Sequence, residues 1–188
     1  KKKKKEKKTT EEYNGTSWSP GGALITGRDG VVGAGTQNAG VVYGGSAPSI
    51  SNATEEYNGS SWATGGPLTT SRLQISKGLG TQNAAVAAGG STGSETCLGC
   101  VEQYNGISWT TGPILPQIVR TAGAAGSESG VVFGGAIAHP AVTACTQEFL
   151  CSNPVNQGIY SFTRMLGDGA VGDSTSTTTP GGGYGGGY

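Results

Sequence analysis

An internal repeat of about 45 residues constrains the fold of this chain more than any other feature. Residues 10–18 (TEEYNGTSW) return as residues 54–62 (TEEYNGSSW) and again, with changes, as residues 101–109 (VEQYNGISW). Glycine pairs follow at a spacing of 45 residues, at Gly44-Gly45, Gly89-Gly90 and Gly134-Gly135. A unit of this length cannot bury its apolar face alone, so we expect similar units to stack side by side.

Each unit also carries the sequence signals of short β-strands. Residues 41–43, 85–88 and 131–133 are brief apolar runs that stop at a glycine pair, and such runs are typical of strands buried in packed sheets. Asn-Gly between the Tyr and Trp of each copy is the strongest short signal of a β-hairpin. The chain has 36 glycines among 188 residues, and each interior glycine costs a helix about 1 kcal/mol relative to alanine. We therefore predict an all-β protein.

A fourth copy begins near residue 146 and then diverges. Residues 146–149 (TQEF) match the TEEY start of the first two copies, but the Asn-Gly turn and the Trp are absent. Arg164 follows Phe149 by fifteen residues, as Arg28 follows Tyr13. We therefore predict that every arginine of the chain holds one structural position of the repeat.

The order of these motifs resembles the kelch repeat: a strand ending in Gly-Gly, then Tyr-Asn, then Trp, then Arg before the next strand. The resemblance covers about residues 10–150 and implies four-stranded β-propeller blades held together by these residues. The structural positions so assigned are Tyr13, Trp18, Arg28, Gly44, Gly45, Tyr57, Trp62, Arg72, Gly89, Gly90, Tyr104, Trp109, Arg120, Gly134, Gly135 and Arg164. Specificity in such folds lies in variable loops on a shared scaffold, so the repeat does not identify a ligand.

Three clear repeats and a degenerate fourth are too few for the closed ring that is usual in this family. Closure protects the sheet edges of a propeller. We therefore expect an incomplete ring, or one completed by a homo-oligomer or larger assembly. A longer parent protein, an open stack and a trimeric β fibre built from the same repeat are alternatives. We divide the chain into a basic disordered tail (1–9), the kelch-like repeat domain (10–166) and a low-complexity tail rich in Gly, Ser, Thr and Tyr (167–188).

The cysteines allow three interpretations. An even number favours disulfides outside reducing compartments. A zinc site built on the Cys-x-x-Cys pair is the second interpretation, although the spacing of the other pair fits it poorly, and free buried thiols are the third. The residues concerned are Cys97, Cys100, Cys145 and Cys151.

The sequence contains no residue pattern of an enzyme, and we predict no catalytic residue, no metal and no cofactor. His139 is the single histidine and precedes Pro140 in a loop without a supporting triad motif. The pairs Glu11-Glu12 and Glu55-Glu56 recur with the repeat. They are better explained as structural residues than as the two acids of a glycosidase.

The zero net charge conceals a basic end. Seven of the twelve Lys and Arg residues lie within residues 1–8, whereas the rest of the chain carries five basic and eleven acidic side chains. A block of like charges is usually a solvated tail, so we expect no nucleic-acid partner beyond this Lys-rich segment. No run approaches the roughly 18 consecutive apolar residues that a membrane-spanning helix needs.

The repeat is similar in detail to kelch-like arrays encoded by bacteriophages. This similarity implies a non-enzymatic structural or binding module, in a virion tail or fibre or elsewhere outside the cell, that contacts a host-surface glycan or protein. Two alternatives stay open. One is a cytoplasmic kelch-type scaffold for protein–protein interactions, and the other is a fragment of a propeller enzyme such as a carbohydrate-active enzyme.

Overall fold

The structure, a computed structural model, describes residues 8–93, 96–97, 99–116, 118–126, 130–136, 146–151 and 160–166. Every helix or strand in these residues is a β-strand, and the strands pair antiparallel, which confirms the all-β prediction. Neighbouring strands group into four successive units that follow the sequence repeat. Unit 1 is a two-stranded hairpin, whereas units 2, 3 and 4 are four-stranded sheets.

The strand bounds of units 1 and 2 show the pattern that the later units repeat. Unit 1 contains β1 (Glu11–Tyr13) and β2 (Trp18–Pro20). Unit 2 contains β3 (Val32–Thr36), β4 (Ala39–Tyr43), β5 (Thr54–Tyr57) and β6 (Trp62–Gly65), ordered consecutively in the sheet. Unit 1 therefore corresponds to the last two strands of unit 2.

Unit 3 has the same up-and-down order, with a small insertion. Its strands are β7 (Leu79–Thr81), β8 (Ala84–Ala88), β11 (Val101–Tyr104) and β12 (Trp109–Thr111). The connection between β8 and β11 forms a separate hairpin of β9 (Ser91–Gly93) and β10 (Thr96–Cys97). Unit 4 contains β13 (Gly123–Gly126), β14 (Gly130–Phe133), β15 (Thr146–Cys151) and β16 (Tyr160–Leu166).

The Asn-Gly turns form the predicted hairpins. Tyr57 pairs with Trp62 across the β5–β6 hairpin, and the same Tyr–Trp pairing closes the hairpins of units 1 and 3. In each turn the Asn Oδ1 accepts two backbone N–H groups, at 2.9–3.0 Å. The following glycine has a positive φ, which is 89° at Gly59 and which glycine adopts without steric cost.

Two apolar clusters join the four-stranded units. The cluster between units 2 and 3 includes Tyr43 from β4, Ala87 from β8 and Trp109 from β12. The cluster between units 3 and 4 includes Val86, Val101 and Val132. Strand β7 contacts both β3 and β13, so the sheets lie side by side through their first strands. Burying each such Val or aromatic side chain contributes about 1.5–3 kcal/mol, so these contacts hold successive units together.

Unit 4 differs from the prediction at Arg164. The spacing from Phe149 matches that of the other repeats, but Arg164 lies inside β16 and pairs with Glu148. The arginines of the other repeats lie in the connection that precedes a first strand. The cause is a longer β15–β16 connection, which runs from Cys151 to Tyr160 and shifts the following residues along the chain.

The ends of the described chain bear on the predicted domain bounds. Residues 1–7 and 167–188 lie outside the described residues, so the two tails stay predictions. The predicted basic tail (1–9) includes Lys8, yet the Lys8 carbonyl accepts the Leu24 N–H at 2.9 Å. The folded part therefore includes Lys8. Among the described residues, no helix is long and apolar enough to cross a membrane.

Candidate functional site

A buried ion pair links three segments of unit 2. Arg28 Nη2 lies 3.0 Å from Glu55 Oε1, and both side chains are almost fully buried. Arg28 Nη1 donates to the carbonyls of Gly44 (2.8 Å) and Ala53 (2.7 Å). Burial lowers the pKa of Arg28 from its ordinary value, and the charge and hydrogen bond of Glu55 act in the opposite direction. The guanidinium therefore joins the glycine pair at the end of β4 to the start of β5.

Unit 3 contains the same arrangement. Arg72 forms an ion pair with Glu102, and neither side chain is exposed to solvent. Its Nη1 donates to the carbonyls of Gly89 and Cys100, each at 3.0 Å. The carboxylate of Glu102 accepts the backbone N–H groups of Thr69 and Thr70, at 2.6 and 3.1 Å. Both charges are therefore paired inside the fold, and neither faces the solvent.

Arg120 does not hold this buried position, which corrects the prediction that every arginine holds one structural position of the repeat. Gly45 N donates to the carbonyl of Arg72, and in the next unit Gly90 N donates to that of Val119. Val119 therefore stands where Arg72 stands, and Arg120 matches Leu73, since both form the next backbone bridge. Arg28, Arg72 and Val119 each follow their Trp by ten residues. Counting from the Trp would have found the shift.

The glycine pairs permit close packing of the backbone at the ends of these strands. Gly44 and Gly45 have φ of +68° and +89°. A Cβ added at Gly44 would lie 2.6 Å from the Arg72 carbonyl oxygen, and one at Gly45 would lie 2.8 Å from that of Asp29. Gly89, Gly90, Gly134 and Gly135 also have positive φ.

The Tyr and Trp of unit 2 dock onto the hairpin of unit 1. Tyr57 Oη donates to Glu12 Oε1, and Trp62 Nε1 donates to Thr10 Oγ1 at 2.9 Å. The hydrogen bond to Glu12 raises the pKa of Tyr57 above its ordinary value. The first and third residues of the TEEY motif therefore accept hydrogen bonds from the following unit.

Units 2 and 3 meet in the same way. Tyr104 Oη donates to Glu56 Oε1 at 2.5 Å, and Trp109 Nε1 donates to Thr54 Oγ1 at 2.9 Å. Burial, aided by the hydrogen bond to Glu56, raises the pKa of Tyr104 to about 12. Trp109 is 4% exposed and contacts the Tyr43 ring edge-on at a centroid distance of 4.7 Å.

The corresponding pair of unit 1 faces solvent. Tyr13 and Trp18 pack against each other at a centroid distance of 5.0 Å, yet they are 47% and 67% exposed. Tyr13 Oη donates to the Gly15 carbonyl of its own turn at 2.8 Å. In the described residues, no preceding unit supplies the acceptors that Tyr57 and Tyr104 find.

A groove of about 300 Å³ lies between residues 10–13 of unit 1 and the adjoining part of unit 2. Its walls combine aromatic rings with carboxylate, amide and hydroxyl groups. They include Glu11, Glu12 and Tyr13 of β1, Thr36 and Gln37 of unit 2, and the aromatics Tyr57 and Trp62. Gln37 Nε2 donates to Glu12 Oε2 at 3.3 Å. The sequence does not predict this groove, because it forms where residues from separate repeats meet.

A second exposed feature lies in the connection that precedes unit 4. Ile114 and Ile118 are 71% and 48% exposed, and both lie beside Gly99. Leu115 between them is buried. The isoleucines therefore form an apolar surface beside Gly99.

The structure describes little of the predicted disulfide and catalytic candidates. Cys100 is a free thiol, and its Sγ accepts a hydrogen bond from Arg72 Nη2 at 3.1 Å. Cys100 therefore forms no disulfide in this structure, and the disulfide interpretation of the other three cysteines stays a prediction. The side chains of Cys97 and Cys151, and the whole of Cys145 and His139, lie outside the described residues. No three His, Cys, Asp or Glu side chains cluster around a metal-sized space in the part that is described.

Comparison with solved structures gives the fold. The chain matches the structure described as "Structure of YjhT" with a TM-score of 0.68 and 14% sequence identity, over 84% of this chain and 52% of that one. This chain therefore spans about half the length of YjhT and shares its fold. No protein-family model and no curated protein matches the sequence.

Proposed function

We propose that this chain is a non-enzymatic binding and structural module built from kelch-like β-propeller blades. It acts in a virion tail or fibre, or elsewhere outside the cell, and contacts a host-surface glycan or protein. Three four-stranded antiparallel sheets that lie side by side support the blade assignment. The kelch-like order of Gly-Gly, Tyr, Trp and Arg in the repeat supports it independently.

The use of the repeated acids supports a non-enzymatic role. Glu55 and Glu102 are buried in ion pairs with arginines. Glu12 and Glu56 accept hydrogen bonds from the tyrosines of the following units. A glycosidase needs two carboxyl groups that flank one sugar bond, whereas these carboxylates serve contacts within and between sheets.

The groove between units 1 and 2 supports the proposal that the ligand is a glycan. A sugar presents C–H faces that pack on aromatic rings and hydroxyls that hydrogen-bond to carboxylates and amides. Tyr13 and Trp62 supply rings, while Glu11 and Gln37 supply polar groups at the same groove. A concave site with apolar walls and a few converging polar groups is the usual form of a small-ligand site.

A glycan array and a cell-envelope binding assay test this function. We expect the wild-type chain to bind a subset of glycans, and Thr36→Arg to abolish that binding by filling the groove. Thr111→Arg, which adds the same charge at another exposed strand residue, should bind like the wild type. Absence of glycan and envelope binding by the wild type would overturn the proposal, as would equal binding by both variants.

The apolar surface of Ile114 and Ile118 favours a second candidate, a scaffold for another protein. Exposed apolar residues that adjoin one another often mark protein contacts. In the same envelope assay, a variant with Ile114→Asp and Ile118→Asp separates the two candidates. If this variant loses envelope binding while Thr36→Arg keeps it, we would place the contact at the surface of Ile114 and Ile118 and infer that the partner is a protein.

A further inference from the structure

The same two pairs of side chains meet where unit 1 contacts unit 2 and where unit 2 contacts unit 3. The acceptor pair comprises the first and third residues of the TEEY motif, and the donor pair comprises the Tyr and Trp of the following unit. Thr10 and Glu12 receive the donor pair of unit 2. Thr54 and Glu56 receive that of unit 3.

At the contact between units 3 and 4, both the donor residues and the acceptor residues are replaced. Phe149 pairs with Phe162 across β15 and β16, at the positions of Tyr57 and Trp62 in unit 2. Unit 4 therefore has aromatic residues without an O–H or N–H donor at these positions. The acceptor pair of unit 3 has lost its acceptors as well, because Val101 replaces the Thr and Gln103 replaces the Glu.

Unit 4 regains the acceptor pair. Thr146 pairs with Phe133 on β14 as Thr54 pairs with Tyr43 on β4. Glu148 pairs with Val131 as Glu56 pairs with Val41. Unit 4 has thus lost the donor pair and regained Thr and Glu at the two acceptor positions. Within this chain, Thr and Glu otherwise occur there only where a donor pair docks.

The donor pair of unit 1 matches this acceptor pair. Tyr13 and Trp18 keep both donor groups, lie largely exposed and have no acceptor pair before them in the described residues. Packing them into a contact like that of units 2 and 3 would bury two aromatic side chains. Large aromatic residues dominate the affinity of protein interfaces, and a Tyr or Trp that is buried usually finds a hydrogen-bond partner.

We propose that two copies of this chain associate head to tail. Tyr13 and Trp18 of one copy dock on the β15 side of unit 4 of the next copy, at the register positions of Thr146 and Glu148. The proposal rests on the blade assignment made above. Because the two surfaces differ, the interface is heterologous, and repeated contacts close a ring or extend as a filament.

Sedimentation of the full chain over a range of concentrations tests the proposal. We expect the wild type to self-associate. Trp18→Ala removes the exposed donor, and the double variant T146V/E148Q gives unit 4 the residues that unit 3 has naturally. Each change should weaken association by about thirtyfold or more, the effect of a residue that dominates an interface. Lys77→Met, which removes an exposed charge in the connection before β7, should leave association unchanged.

Mixing the two variants gives the sharpest result. Each variant alone keeps one intact surface, so an equal mixture should form a one-to-one dimer while each variant alone stays monomeric. A mixture that stays monomeric, or a wild type that is monomeric at every concentration, would overturn the proposal. Circular dichroism and thermal melting check that both variants fold. Glycan binding and its loss in Thr36→Arg are measured separately, so either proposal can fail while the other stands.

Discussion

At the scale of single residues, two adjacent glutamates of the repeat have different roles, one within its own unit and one at the contact with the next unit. Successive side chains of a strand point to opposite faces of its sheet. Glu55 therefore reaches the arginine of its own unit, while Glu56 reaches the tyrosine of the next unit. Unit 4 has Val119 and Gln147 at the positions of Arg72 and Glu102. Both charges are absent together, since one buried charge without its partner is costly.

Replacing Arg72 tests this pairing. We expect Arg72→Val to lower the free energy of unfolding by about 3–5 kcal/mol, because the Glu102 carboxylate would stay buried without its cation. The double variant R72V/E102Q, which has the residues of unit 4, should recover part of the loss. Lys77→Met removes an exposed positive charge in the same connection and should cost less than about 0.5 kcal/mol. Urea denaturation measures all three, and equal losses for Arg72→Val and Lys77→Met would contradict the interpretation.

At the scale of strands and connections, the glycine pair lets the end of one unit touch the connection to the next. Gly45 N donates to the Arg72 carbonyl at 2.9 Å, and Gly44 leaves no room for a side chain next to that carbonyl. The backbone of β4 therefore ends directly against the segment that leads into β7. This contact sets the separation of units 2 and 3.

Two alanine substitutions separate backbone strain from crowding. Gly30 and Gly44 have nearly equal φ, +65° and +68°. A Cβ at Gly30 would have no atom within 4 Å, so Gly30→Ala should cost only the roughly 1–2 kcal/mol of a left-handed backbone. Gly44→Ala adds a clash with backbone atoms, and we expect it to cost at least about 2 kcal/mol more. Thermal or urea unfolding of the two variants checks this, and equal losses would show that packing at Gly44 adds nothing.

At the scale of the whole molecule, the same tripeptide occurs in two different environments. Residues 11–13 and 55–57 are both Glu-Glu-Tyr and both follow Thr. Strand β5 lies between β4 and β6, whereas among the described strands β1 pairs with β2 alone and its other edge is open. Protection from exchange depends on the number of hydrogen-bonded neighbours and on burial, not on the local sequence.

Hydrogen exchange measures this difference with a control inside the chain. We expect the slowest amide of residues 11–13 to exchange at least about tenfold faster than that of residues 55–57, because less opening is needed to expose it. The two segments have nearly equal intrinsic exchange rates, since their sequences match. The measurement is made on T146V/E148Q, which we expect to stay monomeric and which leaves residues 11–13 and 55–57 and their neighbours unchanged. Equal protection would show that another element covers β1.

The sequence alone determined the features that depend on a few neighbouring residues. Asn58-Gly59 predicts its hairpin because the turn needs a positive φ, and the apolar run at residues 41–43 predicts β4 because only a buried strand suits it. The glycine pairs predict the ends of the strands that precede them, because glycine at these positions interrupts a strand.

Tertiary structure decided the rest, because the decisive contacts join residues about 30–50 positions apart. It showed that Val119 and not Arg120 stands in the buried position, and that Arg164 lies on β16. It placed Phe162 opposite Phe149, where the sequence shows no Trp. The groove between units 1 and 2 likewise exists only once separate repeats pack together. The repeat therefore predicts the strands and turns of each unit, and the packing of the units determines which surfaces are exposed for binding.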